Sequence, residues 1–108
     1  MTPDAAIAML DRTVARHGQT VILRRATDDL TARGFVRDYK PEEIVGGIAQ
    51  GDTNIALSPT QIAGSQFDAA PIRRNDKVVI RGRVRNVEAA DFLLIDDRLV
   101  RINLQVRG

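Results

Sequence analysis

Side chains alternate strictly along DDRLVRINLQV, residues 96–106, and this pattern identifies the fold class. One face carries only aliphatic residues, namely Val100, Ile102, Leu104 and Val106. The opposite face carries Leu99, Arg101, Asn103 and Gln105. A period of two is that of a β-strand with one buried face. The acidic pair Asp96-Asp97 in front of it predicts a turn, so we expect this to be the last strand of an antiparallel arrangement.

The segment before this strand predicts an antiparallel meander. Asn75-Asp76 is expected to turn the chain into a strand over residues 77–81, and Gly82 to make the next turn. Residues 84–89 form a strand pattern with an irregularity that favours a bulge. Residues 92–95 are apolar and are expected either to pair or to fill a gap.

Three further strands are predicted nearer the N-terminus, at residues 20–25, 32–39 and 53–57, which are rich in β-branched and aromatic residues. The polar run Thr27-Asp28-Asp29 predicts the turn between the first two. Ser58-Pro59-Thr60-Gln61 matches a capping box and predicts one short helical turn that Gly64 ends. Residues 65–71 are expected to form a loop.

The chain is expected to begin with a helix at about residues 3–17. Thr2 can cap its first backbone donors, Pro3 suits the first helical position, and Asp4 complements the helix dipole. Ile7, Leu10 and Val14 recur at helical spacing. Arg16-His17-Gly18 predicts the end of the helix, with cations near the last carbonyls and a glycine free to adopt positive φ.

Composition sets the class of protein. The 108 residues suit a single domain spanning 1–108, and with one Tyr, three Phe and no Trp the core must be aliphatic. The elements together predict a mainly β fold with an N-terminal α-helix. We expect a small antiparallel β-barrel (SH3-like or related) at about residues 20–107, with one long inter-strand loop and one short helical turn.

The long loop is PEEIVGGIAQGD, residues 41–52. It fits neither the helical nor the strand period, and it combines three glycines and two glutamates with Ile44, Val45 and Ile48. Loops of this length are uncommon in small domains and are often functional. We interpret it as a flexible, partly apolar binding segment.

Residues that could carry chemistry are few. There is no Cys, and His17 is the only histidine, so neither a thiolate site nor a histidine zinc site can be built. The acidic pairs Asp28-Asp29 and Asp96-Asp97 are typical of turns. The glycines lack the lysine and helix context of a phosphate-binding loop. We expect no catalytic residue, no metal and no cofactor, and a protein that is not an enzyme.

Clusters of arginine suggest contacts with charged partners, although the net charge is only +2. Arg81, Arg83 and Arg85 alternate through the predicted hairpin and could line one strand face. Arginine suits carboxylates and phosphates, although such clusters are also typical of a solvated surface. No apolar stretch reaches the length of a membrane span, and no secretory signal is visible, so no membrane partner is expected.

Two stretches resemble a family of small tailed-phage and prophage head–tail joining proteins, which includes head-completion and stopper-like subunits. The first is DYKPEEIVGGIAQGD, residues 38–52, followed by IALSP at 55–59. The second is DKVVIRGR at 76–83, with the terminal LQVRG at 104–108. The likeness extends over residues 18–108, and Asn75 stands where a glycine often precedes the aspartate of the late turn.

The resemblance implies a structural β-barrel subunit that forms a ring between the capsid portal and the tail. It implies portal or adaptor and tail proteins as partners, together with further copies of the chain and non-specific DNA contact in the channel. The expected location is the head–tail junction of the virion, and the host cytoplasm during assembly. Adaptor, stopper and tail-terminating positions are all compatible with it.

The resemblance also implies that the long loop points into the channel and helps to close it. The candidate loop and oligomer contacts are Lys40, Glu42, Glu43, Ile44, Val45, Gly46, Gly47, Ile48, Gln50 and Gly51. The candidate residues facing a partner or DNA are Arg73, Arg74, Arg81, Arg83 and Arg85. The alternative function is a small-barrel nucleic-acid-binding module, which the basic hairpin favours. Exposed aromatic residues interleaved with the arginines, expected of a base-stacking platform, are missing from the sequence.

Overall fold

Six antiparallel strands close into a barrel in a computed structural model that describes residues Met1–Gly108. The order around the barrel is β1-β2-β3-β6-β5-β4, and β4 pairs again with β1. The strands are β1 (Gln19–Arg25), β2 (Asp28–Asp38), β3 (Thr53–Leu57), β4 (Lys77–Ile80), β5 (Arg83–Ile95) and β6 (Arg98–Arg107). The predicted fold class, a mainly β barrel with an N-terminal helix and a long loop, is confirmed.

Tight turns connect the hairpins, and their residues explain the registers. Arg81 and Gly82 have φ of 52° and 79°, and Asp96 and Asp97 have φ of 51° and 63°. Two successive residues with positive φ match the right-handed twist of the flanking strands. The turns predicted at Gly82 and at Asp96-Asp97 are therefore confirmed.

The turn predicted at Thr27-Asp28-Asp29 lies earlier in the chain. Strand β2 already begins at Asp28, and the turn lies at Ala26 and Thr27, with Ala26 at φ 54°. Asp29 pairs across the hairpin with Arg24, whose guanidinium donates two hydrogen bonds to its carboxylate. The cross-strand ion pair therefore keeps these acidic residues in the strand.

The C-terminal strands are longer than predicted. Residues 84–89 and 92–95 belong to one strand, β5, which pairs with β6 from Asn86 onward. The expected bulge is present as a register shift between Val87 and Ala89, and a second shift occurs between Leu93 and Leu94. The alternation predicted for residues 99–106 is confirmed, because the aliphatic face of β6 is buried.

The N-terminal helix α1 spans Pro3–His17, as predicted, and Thr2 Oγ1 accepts a hydrogen bond from the Ala5 amide at 3.1 Å. The expectation of positive φ at Gly18 is wrong, since this residue is extended, with φ −76°. Glycine is needed at position 18 because a side chain would not fit there. A Cβ atom at Gly18 would lie 2.3 Å from the Val14 carbonyl oxygen.

Strand β3 is shorter than its neighbours β2 and β6, and helices lie beside the parts of those strands that β3 does not reach. Helix α2 (Pro59–Ile62) follows β3 directly, and both α1 and α2 contact β2 and β6. The predicted capping box is only half formed. Ser58 accepts from the Thr60 amide, but the Gln61 side chain accepts from the amide of Arg33 on β2 instead.

Residues 65–71, predicted to be a loop, contain the short helix α3 (Gln66–Ala69). Ser65 caps it by accepting from the Phe67 amide, and Phe67 is buried in the aliphatic core. Arg25 lies over the Phe67 ring at 4.8 Å and donates to both carboxylate oxygens of buried Asp76. Arg25 therefore closes the α3 end of the barrel.

The β2–β3 loop, residues 39–52, leaves the opposite end of the barrel, since β3 runs from this loop toward α2. It contains the predicted stretch 41–52 whole, and its only regular piece is the 3-10 turn Pro41–Glu43. The predicted loop contacts therefore all lie at this end, which we call the loop end.

The structure has three α-helices, of which α1, with 15 residues, is the longest. None of them is both long and apolar enough to cross a membrane.

The close contact at Gly18 gives a stability prediction. Gly18→Ala places a methyl group against the Val14 carbonyl and should destabilise the protein by about 1–3 kcal/mol, as overpacking does. Gly47→Ala is the control, because no atom lies within 4 Å of a Cβ there and its φ is not positive. Urea unfolding measures both, and equal free energies of unfolding for the two variants would contradict the contact.

Candidate functional site

The first part of the β2–β3 loop is tied to the barrel by an ion pair. Arg37 on β2 donates to the two carboxylate oxygens of Glu43 at 2.8 and 3.0 Å. The Lys40 amide donates to Glu43 at 2.9 Å. These hydrogen bonds, those from Arg37 foremost, lower the pKa of Glu43 to about 2. Glu43 therefore has a structural contact, whereas Glu42 is exposed and in no ion pair.

The last residue of the loop, Asp52, is a buried carboxylate with four hydrogen bonds. The guanidinium of Arg107 on β6 donates to both its oxygens, each at 2.8 Å. The Gln105 side chain and the Ala49 amide donate at 2.8 and 2.9 Å. The bonds from Arg107 are the largest cause that holds the pKa of Asp52 well below its usual range, and they outweigh the burial that raises it.

Loop carbonyls accept from the same side chains. The Gly47 oxygen accepts from Gln105 at 2.9 Å and from Arg107 at 3.1 Å. The Gly51 oxygen accepts from Arg85 at 2.9 Å. The glycine-rich stretch, predicted to be flexible, is thus bound to the barrel at its start, middle and end.

The apex between these anchors carries the loop's one exposed large hydrophobic side chain. Val45 is 67% exposed and Gly46 follows it with φ 58°. Ile44 and Ile48 are half-buried. Of the three apolar loop residues predicted to make contacts, Val45 is therefore the one that the barrel presents outward. The remaining predicted contacts Lys40, Glu42, Gly46, Gly47, Gln50 and Gly51 are exposed.

The five predicted basic residues do not form one face. Arg73 and Arg74 are exposed in the loop before β4, and Arg81 and Arg83 are exposed at the β4–β5 turn. Arg85 pairs with buried Val78 and donates to Thr53 Oγ1 and to the Gly51 oxygen. The sequence-based role of Arg85 as a partner-facing residue does not fit this position, because its two terminal nitrogens hold the loop.

The anchoring residues Arg37, Gln105 and Arg107 were missed by sequence reasoning. Arg107 is separated from Asp52 by 55 positions, and no local pattern marks the two as a pair. The sequence signal that existed was weak: an aspartate directly before a buried strand and a polar face on the last strand.

The remaining titratable residues are dispersed. His17 is exposed at the end of α1, as expected of a residue near the helix C-terminus. No group of three or more His, Cys, Asp or Glu side chains is placed to hold a metal ion. One further concavity, of about 330 Å³, is an apolar groove bordered by α1, Phe35, Leu93 and Val100.

Comparison with known proteins gives no assignment, since neither a protein-family model nor a curated protein matches the chain.

The Asp52 anchor gives a pH-dependent prediction. Arg107→Met should cost about 2–3 kcal/mol at neutral pH, because it leaves a buried carboxylate without its cation. The pKa of Asp52 is lowered in the folded state, so the pair stabilises the fold above the ordinary pKa of about 4 and loses its effect as the pH falls below it. The cost of Arg107→Met should therefore shrink as the pH falls from about 5 to about 2.

The control is Arg98→Met, which removes an exposed ion pair with Asp4. It should cost less than about 1 kcal/mol and vary little over this range. Urea unfolding as a function of pH measures both variants. A pH-independent cost for Arg107→Met would contradict the role of the Asp52 charge.

Proposed function

We propose that this chain is a structural subunit of a phage or prophage head–tail connector. It joins portal or adaptor proteins to tail proteins and helps to close the DNA channel. It acts without catalysis, as part of a ring. The family resemblance of residues 38–52 and 76–83 motivates the proposal, and the geometry of the β2–β3 loop supports it.

The observation that carries the proposal is the presentation of Val45. The loop around it is anchored by Arg37, Arg85 and Arg107, so the apolar apex is held away from the barrel at one end. An exposed apolar side chain on an anchored loop is suited to meet its counterparts from neighbouring subunits around a ring axis. Apolar constrictions of this kind can close a channel to a charged polymer.

The exposed arginines supply the contacts with acidic partners. Arg73, Arg74, Arg81 and Arg83 form no salt bridge within the chain. Their charges are free to meet carboxylates of an adjoining ring or phosphates of DNA in the channel.

A particle assay tests the gating role. Val45→Asp places a charge at the apex without touching the loop anchors, so particles should assemble but lose packaged DNA. We expect the number of nuclease-protected genomes to fall at least about tenfold. This factor corresponds to a loss of about 1.4 kcal/mol in the free energy of channel closure. Val84→Asp, at a 50% exposed valine on β5, is the control.

Two results would refute the connector proposal. One is a normal infectious titre after deletion of the gene from its own phage or prophage. The other is assembly of complete particles from which the protein itself is absent by mass spectrometry. Normal DNA retention in Val45→Asp particles would remove the gating role alone.

A nucleic-acid-binding module is the second candidate, because four exposed arginines form no salt bridge. Isolated protein should then bind a labelled single-stranded oligonucleotide with a steep salt dependence. Replacing Arg81 and Arg83 together with alanine should reduce the slope of log K against log salt by about 1.4, or about 0.7 for each lost phosphate contact. Thr20→Ala, at an exposed uncharged position, is the control. Salt-independent or absent binding excludes this candidate.

A further inference from the structure

Strand β5 is much longer than its neighbour β4, and this leaves part of its edge open. Strand β4 pairs with β5 only over Arg83–Asn86. Val87 extends the pairing by one step, since its amide donates to the Asp76 oxygen and its carbonyl accepts from the Asn75 amide, both at 2.9 Å. From residue 88 to residue 95, β6 is the only strand that pairs with β5.

Exposed apolar side chains concentrate beside this open edge. Seven large hydrophobic residues are exposed on the whole chain, and three of them lie on this part of β5. These three are Phe92, Leu93 and Leu94. Leu93 and Met9 also border the apolar groove of about 330 Å³. An apolar strand with an unpaired edge is a site for pairing with another strand.

The other strands offer no comparable apolar edge. Strands β1, β3 and β4 are paired on both sides. The first part of β2 pairs with β1 but not with β3, and its Arg33 amide donates to the Gln61 side chain of α2. Its exposed side chains Asp28, Asp29 and Thr31 are charged or polar. Strand β6 contacts α1 and α2 in addition to β3 and β5. The free strand that this molecule can offer to a second copy is therefore β5 itself.

We propose that two copies of this chain form a dimer by antiparallel pairing of their β5 edges about a two-fold axis at Phe92. In this register Phe92 faces Phe92 of the second copy, an aromatic cross-strand pair. Asp91 of each copy then lies opposite Leu93 of the other, so the two Asp91 side chains do not face each other. The contact is isologous, and each copy uses the same surface.

Charge complementarity supports this register. Arg101 on β6 is the cross-strand partner of Leu93, and its guanidinium donates only to Asn103. Asp91 forms no ion pair within the chain. In the dimer Asp91 and Arg101 of the second copy are two strand spacings apart, roughly 10 Å between backbones, which their extended side chains can bridge. Because the dimer has a two-fold axis, it contains two such Asp91–Arg101 pairs.

The dimer does not depend on the proposed function. The subunits of a connector ring meet through head-to-tail contacts, which join two different surfaces. The β5 pairing joins the same surface of both copies, so it is a property of the free chain and not of the ring.

Sedimentation velocity of the purified chain from micromolar to millimolar concentration tests the proposal. We expect a concentration-dependent dimer. Phe92→Lys, with folding checked by circular dichroism, should weaken dimerisation at least about tenfold, because two ammonium groups then meet at the axis. Val84→Lys is the matched control, since Val84 is exposed on the part of β5 that β4 already pairs. It should leave the dimer unchanged.

A charge exchange tests the register. Asp91→Arg and Arg101→Asp should each weaken the dimer about fivefold or more, and the double variant should restore it. A wild-type chain that remains monomeric throughout overturns the proposal, and so does a dimer that survives Phe92→Lys. Failure of the double variant to restore a dimer that both single variants weaken overturns the register at Phe92. A monomer that binds an extended segment of another protein at this edge also counts against the dimer.

Discussion

The buried carboxylate of Asp52 governs the structure of the loop end. A carboxylate removed from water must be paired and hydrogen-bonded, and Asp52 obtains this from Arg107, Gln105 and the Ala49 amide. The same two β6 side chains hold the Gly47 carbonyl. One buried charge thus connects the start of β3, the end of β6 and the middle of the loop, and it explains why a glycine-rich segment has a defined path.

The opposite end of the barrel is closed by the same kind of interaction. There Arg25 reaches in from a strand and pairs with buried Asp76, while its guanidinium covers the Phe67 ring. An aliphatic core with few aromatic residues is enclosed between these two ion pairs. Loss of either would expose the ends of the core, whereas the exposed pairs at Arg24 and Arg98 join elements that are packed together by other contacts.

The surfaces left by this arrangement are of two kinds. At the loop end an anchored apex presents Val45, and exposed arginines elsewhere are free of acidic partners. Strand β5 continues past β4 and leaves an apolar edge. The first surface suits the contacts of a ring subunit, and the second suits strand pairing. The two surfaces share no residue, so one subunit can use them separately.

Local elements could be located from the amino-acid pattern alone. Each of these signals acts within a few residues of the chain. They are the period of two in β6, the residues able to take positive φ at Gly82 and Asp96-Asp97, and the cap at Thr2. Sequence reasoning also found the long loop and named Val45 among its contacts.

The loop anchors and the open edge required the tertiary structure. Arg107 and Asp52 meet only because β6 pairs with β3, and Arg85 faces inward only because it pairs with Val78. The exposure of Phe92–Leu94 follows from the difference in length between β4 and β5. Such contacts join residues distant along the chain, and only closure of the barrel decides which side chains share one end and which edge remains unpaired.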